Sequence, residues 1–214
     1  MAADQLAALL CARLCHDLVS PVSALSAALS VLDDESSADM HEDAMELVRD
    51  SSRQAQAKLE FARLAFGAGG SAPATLDTRE LRRLTEAMFA PAKPEIVWKV
   101  EAAGLEKAAA RLLLNMCVLA VESVPRGGKV AVEATETGGG ARIRIVAEGP
   151  RARLNADTVA ALEGQAPEAG YDGRSIQPYF AGLIARNSGG RVSAHADEER
   201  VEFVALIQSP AAAA

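Results

Sequence analysis

The chain has 214 residues, enough for one or two domains with a real hydrophobic core, and its composition (50% apolar, 24% charged) is that of an ordinary globular protein. A net charge of −7 argues against general nucleic-acid binding and leaves room for an acidic surface that meets a specific protein partner. Three cysteines, an odd number, make no disulfide framework and point to a reducing cytosol.

The first residues, Met1-Ala2-Ala3-Asp4-Gln5, lack the basic region of a secretory signal. No apolar run approaches the roughly 20 residues needed to span a bilayer, so a cytoplasmic protein without membrane contact is expected. Residues 4–33 read as one helix. Leu10, Leu14, Leu18, Val22, Leu25, Leu29 and Leu32 recur at steps of three and four and predict one buried stripe. His16 lies two residues from both Leu14 and Leu18, which at about 100° per residue puts it on the solvent side. Its neighbours one turn away are Ala12, Arg13, Val19 and Ser20, none of them bulky and aromatic, so another protein can approach the imidazole. An exposed helical histidine followed at once by an acid, Asp17, is what a phosphorylatable histidine needs. Cys11 and Cys15 share a helix face from which His16 is turned by about 100°, which speaks against a metal site there.

Asp33-Asp34-Glu35-Ser36-Ser37 breaks the pattern, and a second helix follows over residues 39–66, with Met40, Ala44, Leu47, Val48, Ala55, Leu59, Ala62 and Phe66 inward. Two long helices and a short polar turn make a helical hairpin. A lone hairpin buries two apolar stripes poorly, whereas pairing with a second copy gives a four-helix bundle, so a homodimer is expected. Residues 67–74, rich in Gly, Ala, Ser and Pro, read as a linker. Beyond it the pattern predicts a helix over 78–89 with Thr78 as N-cap, a strand over 96–101 and a helix over 105–124. Alternating strands follow at 129–134 and 141–146, with Gly138-Gly139-Gly140 as the turn between them. Helices at 155–163 and 175–187 and strands at 191–194 and 200–207 complete the pattern, and the tail from Ser209 reads as frayed. The fold class is α+β: a hairpin unit over residues 1–68, then a sandwich over 76–209 with helices on one face of a largely antiparallel sheet.

A histidine-bearing hairpin followed by this layout resembles the core of a two-component histidine kinase, in which a dimerisation and phosphotransfer hairpin precedes an ATPase domain of the GHKL class. The H-box of that family, His-Glu/Asp-x-x-Thr/Asn-Pro, is matched by His16-Asp17-Leu18-Val19-Ser20-Pro21, with Ser20 in place of Thr or Asn. The match implies that His16 is the phospho-acceptor and that Pro21 bends the helix one turn later. The nucleotide motifs are eroded. At the N-box position, Asn115 survives but Arg111 replaces the other Asn. Where Asp-x-Gly-x-Gly is expected, Ala147-Glu148-Gly149-Pro150-Arg151 has lost the adenine-reading Asp and the second Gly. Where a glycine-rich phosphate loop should lie, the chain reads Ser175-Ile176-Gln177-Pro178-Tyr179-Phe180-Ala181-Gly182-Leu183. Glycines let backbone amides approach phosphate closely, so these three losses together argue against ATP binding.

A phosphotransfer hairpin joined to an ATPase-like sandwich without its nucleotide motifs resembles the ChpT class of alphaproteobacterial histidine phosphotransferases. The similarity covers nearly the whole chain, including Ala12-Arg13-Leu14-Cys15-His16-Asp17, Arg63-Leu64-Ala65-Phe66-Gly67 and Gly149-Pro150-Arg151-Ala152-Arg153-Leu154. It implies a dimer that takes phosphate from the receiver aspartate of a hybrid kinase and passes it to response regulators, including a cell-cycle transcription factor and a single-domain receiver. On this reading a ring nitrogen of neutral His16 is the nucleophile. Asp17 either accepts a hydrogen bond from the other ring nitrogen or takes up the released proton, and Arg13, one turn earlier, contacts phosphate oxygens. Val19, Ser20, Val22 and Ser23 form the surface on which a receiver docks. No cofactor is expected on this chain, and Mg²⁺ is expected to come with the receiver. Two other readings are an ATP-dependent sensor kinase, which ATP calorimetry would reveal, and a non-catalytic inhibitor of a kinase or regulator, which would not transfer phosphate through His16.

Overall fold

In a computed structural model, which describes residues 1–67, 75–168, 170–173 and 175–208, the chain opens with α1 (Ala3–Leu32) and α2 (His41–Ala65). They pack against one another along their length, and a short 3-10 segment, Glu35–Met40, turns the chain between them. Asp34 caps that segment by accepting the Ser36 N–H at 3.0 Å. The hairpin is as the sequence predicts, and within the single chain the expected stripe is only partly buried. The α1 residues buried against α2 and the rest of the chain are Arg13, Pro21 and Ala28. Leu10, Leu14, Leu18, Leu25 and Leu32 of that stripe are half-buried, Leu10 against the core, whereas Val22 and Leu29, about 80–100° round the helix from Pro21, are each 51% exposed. On α2, Leu47 and Leu59, expected inward, are exposed as well. By length and composition α1 is also apolar enough to cross a membrane, contrary to the expectation that no run comes near that length.

Beyond the hairpin, β1 (Thr75–Asp77) pairs antiparallel with β3 (Gly104–Glu106), a small ribbon absent from the sequence reading. The helix α3 (Thr78–Phe89) starts as predicted, but its cap is Asp77, whose carboxylate accepts the Arg79 N–H at 2.8 Å. Thr78 instead turns its hydroxyl to the carbonyl of Ala102. The main sheet has the order β2-β4-β5-β7-β6, from β2 (Pro94–Trp98), β4 (Gly128–Thr137), β5 (Gly140–Glu148), β6 (Arg191–Asp197) and β7 (Arg200–Gln208). Only β2 and β4 run parallel. Val130 and Val132 of β4, Ile143 and Ile145 of β5, and Val201 and Phe203 of β7 alternate inward, and polar residues alternate outward.

On the inward face lie α4 (Lys107–Ser123), α5 (Ala156–Leu162) and α6 (Ile176–Asn187), with α4 and α6 against one another and α4 on β5. Leu112, Leu113, Leu114, Met116 and Cys117 are all fully buried, so α4 is apolar on nearly every side, as a helix enclosed by other elements must be. Phe61 and Ala65 near the end of α2 belong to this same core, and Phe61 meets Phe89 of α3 edge-on at 5.8 Å between ring centres. The hairpin is thus fused to the second unit at the foot of α2, where Gly67 ends the helix in a left-handed conformation (φ +72°). The linker at 68–74 and the tail from Ser209 lie outside the described residues.

Candidate functional site

His16 sits on the exposed face of α1 with half of its side-chain surface accessible. Asp17 follows it, and the two side chains meet with Nδ1 3.3 Å from Oδ1. An ionised carboxylate only accepts, so this contact is a hydrogen bond when the ring proton is on Nδ1, the tautomer that leaves the lone pair on Nε2. The same contact suits both sequence readings of Asp17, as acceptor of a hydrogen bond from the ring and as acceptor of its Nδ1 proton.

Pro21 lies inside α1 and has no N–H. The acceptor it leaves without a helical partner is the carbonyl four residues back, that of Asp17. Lys58 of α2 reaches across the hairpin and donates from Nζ to that oxygen at 2.7 Å. A spacing in α1 that weakens the helix is therefore compensated from α2, at the residue next to the candidate nucleophile.

Arg13 is not where the sequence places it. The expected phosphate ligand on the solvent face is buried (7% exposed), with Nε donating to Asp17 Oδ2 at 3.0 Å and Nη2 to Glu122 Oε1 of α4 at 2.8 Å. Burial works against the charge, but the carboxylates of Glu122 and Asp17 outweigh it and hold the guanidinium pKa above its ordinary value. Helical spacing describes one helix and does not reveal this contact, because Glu122 stands 109 residues along the chain. Val19 (61% exposed), Ser20, Val22 and Ser23 are exposed on α1. Cys11 and Cys15 are exposed, and among the described residues no group of three or more His, Cys, Asp and Glu stands together as a metal site.

A cleft of about 570 Å³ opens between α1 and the second unit, with His16 on its wall and Glu122, Ser123, Arg153, Asn155 and Asp172 among its lining. The residues at the eroded nucleotide motifs are committed elsewhere. Asn115 is fully buried; its amide donates to the carbonyls of Ala65 (2.9 Å) and Arg111 (2.7 Å), and its oxygen accepts from Gln177 at 2.6 Å. Both its donors and its acceptor are thereby used to join α2, α4 and α6. Arg111 donates to the carbonyl of Phe66 at 3.2 Å and lies 5.7 Å from the Phe180 ring centre. Ala147 is enclosed in β5, and Arg151 holds a left-handed conformation (φ +60°) where the resembled motif has glycine. The stretch expected as a phosphate loop is largely α6, whose amides beyond the first turn bond within the helix.

A family model for the C-terminal domain of histidine phosphotransferases matches residues 78–200. The chain belongs to the histidine phosphotransferase family and is by that membership a phosphotransfer enzyme rather than an ATP-dependent kinase. It is 40% identical over 205 residues to the protein phosphotransferase ChpT of Brucella abortus (strain 2308), covering 96% of this chain and 97% of that one. A solved bacterial phosphotransferase matches with a TM-score of 0.85 at 36% identity, over 96% of this chain and 97% of the other.

Proposed function

We propose that the protein is a phosphorelay intermediate: His16 takes a phosphoryl group from the receiver aspartate of a hybrid histidine kinase and hands it to aspartates of response regulators, both DNA-binding and single-domain. The observation that carries this reading is the exposed His16 ring with its Nδ1 against the Asp17 carboxylate. In the forward step the Nε2 lone pair attacks phosphorus, a P–N bond forms, the P–O bond to the receiver aspartate breaks and that carboxylate leaves. The imidazole becomes cationic while Asp17 holds the Nδ1 proton, and the negative carboxylate stabilises the charge. Return of the phosphoryl group to another aspartate reverses each step. Mg²⁺ is proposed to arrive on the receiver and to neutralise phosphate charge there.

The exposed apolar residues of the hairpin support a homodimer. Val22 (51%) and Leu29 (51%) on α1 and Leu47 (42%) and Leu59 (48%) on α2 are exposed apolar side chains that a second copy can cover. A second hairpin laid along them makes a four-helix bundle. A bundle also covers the apolar surface of α1, in keeping with a cytoplasmic protein that binds neither membrane nor nucleic acid. Incubation of the full chain with a phosphorylated hybrid-kinase receiver tests the relay: acid-labile, base-stable phosphate on His16 is expected, and a chain that stays unlabelled while the receiver keeps its phosphate contradicts it.

A further inference from the structure

We propose that Glu122 and Arg13 are positioning residues for His16, through which the placement of the C-terminal unit sets the orientation of the ring. The proposal rests on the relay reading above for its functional meaning.

The connection is continuous. Glu122 Oε1 accepts from Arg13 Nη2 at 2.8 Å, Arg13 Nε donates to Asp17 Oδ2 at 3.0 Å, and Asp17 Oδ1 lies 3.3 Å from His16 Nδ1. The two oxygens of one carboxylate therefore divide their work, one held by the guanidinium and the other facing the imidazole. Arg13 has 9% of its side-chain surface exposed, and a buried cation needs its carboxylate partners. Its planar fork spans Asp17 and Glu122 only while α1 and α4 keep their present relation. Glu122 is a firm anchor: its side chain is half exposed in the cleft, but the helix carrying it is packed in the core.

One further contact brings the units together at this point, and one within the hairpin holds the backbone beneath it. Gly173, in the loop before α6, passes so close to α1 that a Cβ there would lie 3.2 Å from the Ala12 carbonyl carbon and from the Arg13 nitrogen. From the other side Lys58 holds the Asp17 carbonyl. The main chain of Asp17 is thus fixed by the hairpin and its side chain by the C-terminal unit. The other charged groups of the cleft are Arg153, Asp157 and Asp172. A receiver that moves the second unit would turn Asp17, and with it the tautomer that puts the lone pair on Nε2. A simple brace between the two units would do none of this.

The test uses the full chain with 15N-labelled histidine, at a pH where His16 is neutral. Nitrogen shifts report the tautomer without any phosphate or partner. In the wild type the Nδ1–H form of His16 should dominate. Glu122→Ala should shift the balance toward Nε2–H and slow phosphate uptake from an acetyl-phosphate-charged receiver by roughly tenfold or more, as misplacement of a reacting group does. Glu122→Gln, which keeps an oxygen acceptor and nearly the same volume, should shift it less, and it takes the place of the alanine variant if that fails to fold. An unchanged tautomer and rate in the variants, with only a lower melting temperature, would overturn the proposal and leave a structural brace. If no form of the chain accepts phosphate, the relay reading fails, while the tautomer measurement still decides the positioning claim.

Discussion

Lys58 Nζ donates at 2.7 Å to the main-chain carbonyl of Asp17, the acceptor that Pro21, four residues on, has no N–H to satisfy. The proline opens the helical ladder one turn beyond His16, and α2 closes it with a charge-assisted hydrogen bond. The backbone beneath the candidate site is thereby tied to the second helix of the hairpin rather than to its own.

This pairing predicts a coupling. Lys58→Met leaves the Asp17 carbonyl without its donor and should destabilise the chain by about 1–2 kcal/mol. In a Pro21→Ala background the restored N–H reaches that carbonyl, and the same lysine change should cost much less. Urea unfolding of the wild type, both single variants and the double variant measures the difference. Strictly additive effects would show that the two residues do not share the acceptor.

The buried amide of Asn115 predicts a loss of stability rather than of nucleotide affinity. Asn115→Ala strands the carbonyl of Ala65 and the amide of Gln177 in the core, while the Arg111 carbonyl keeps the N–H of residue 115 as its helical partner. A cost of about 2–4 kcal/mol is expected from denaturant unfolding, where a surface asparagine would cost a few tenths. A change below about 0.5 kcal/mol would contradict the joining role given to this residue.

No ATP binding is expected at millimolar nucleotide, with or without magnesium. Arg111 packs on Phe180, Ala147 is enclosed in the sheet, and the segment expected as a phosphate loop is largely helix. Titration calorimetry tests this, and a magnesium-dependent heat with micromolar affinity would contradict it.

The proposed bundle predicts that Leu59→Glu acts on assembly. Leu59 is 48% exposed in the single chain, so a carboxylate there costs little unless a second hairpin covers it. Light scattering should show the variant as a monomer and the wild type as a dimer. A wild type that is monomeric at the same concentration, or a variant that remains dimeric with unchanged stability, would count against the bundle.

Much of this was legible in the sequence because it rests on local pattern. The long helices and the sheet strands declare themselves by period, and His16-Asp17 with Pro21 marks the candidate site. The three-residue strands β1 and β3 are too short to show a period. The N-cap of α3 falls one residue early because Asp77 and Thr78 are both good caps, and only the Thr78 hydroxyl's bond to Ala102 decides between them. The burial of Arg13 is not legible for a related reason. Helical spacing fixes angles between residues of α1 but not the direction of α2 and α4, and the charge on Arg13 is satisfied by Glu122, which lies far along the chain. The roles of Lys58 and Gln177 likewise depend on contacts that only the folded chain brings together.

The most direct test of the account is phosphate uptake by His16→Ala. Half of the His16 side chain is exposed and none of it fills the core, so the variant should fold and assemble like the wild type, within about 0.5 kcal/mol in stability. Exposed to a phosphorylated receiver domain, it should acquire no acid-labile phosphate, while the wild type is labelled and the receiver loses its own. A variant labelled at the wild-type rate would contradict the assignment of His16 and with it the relay.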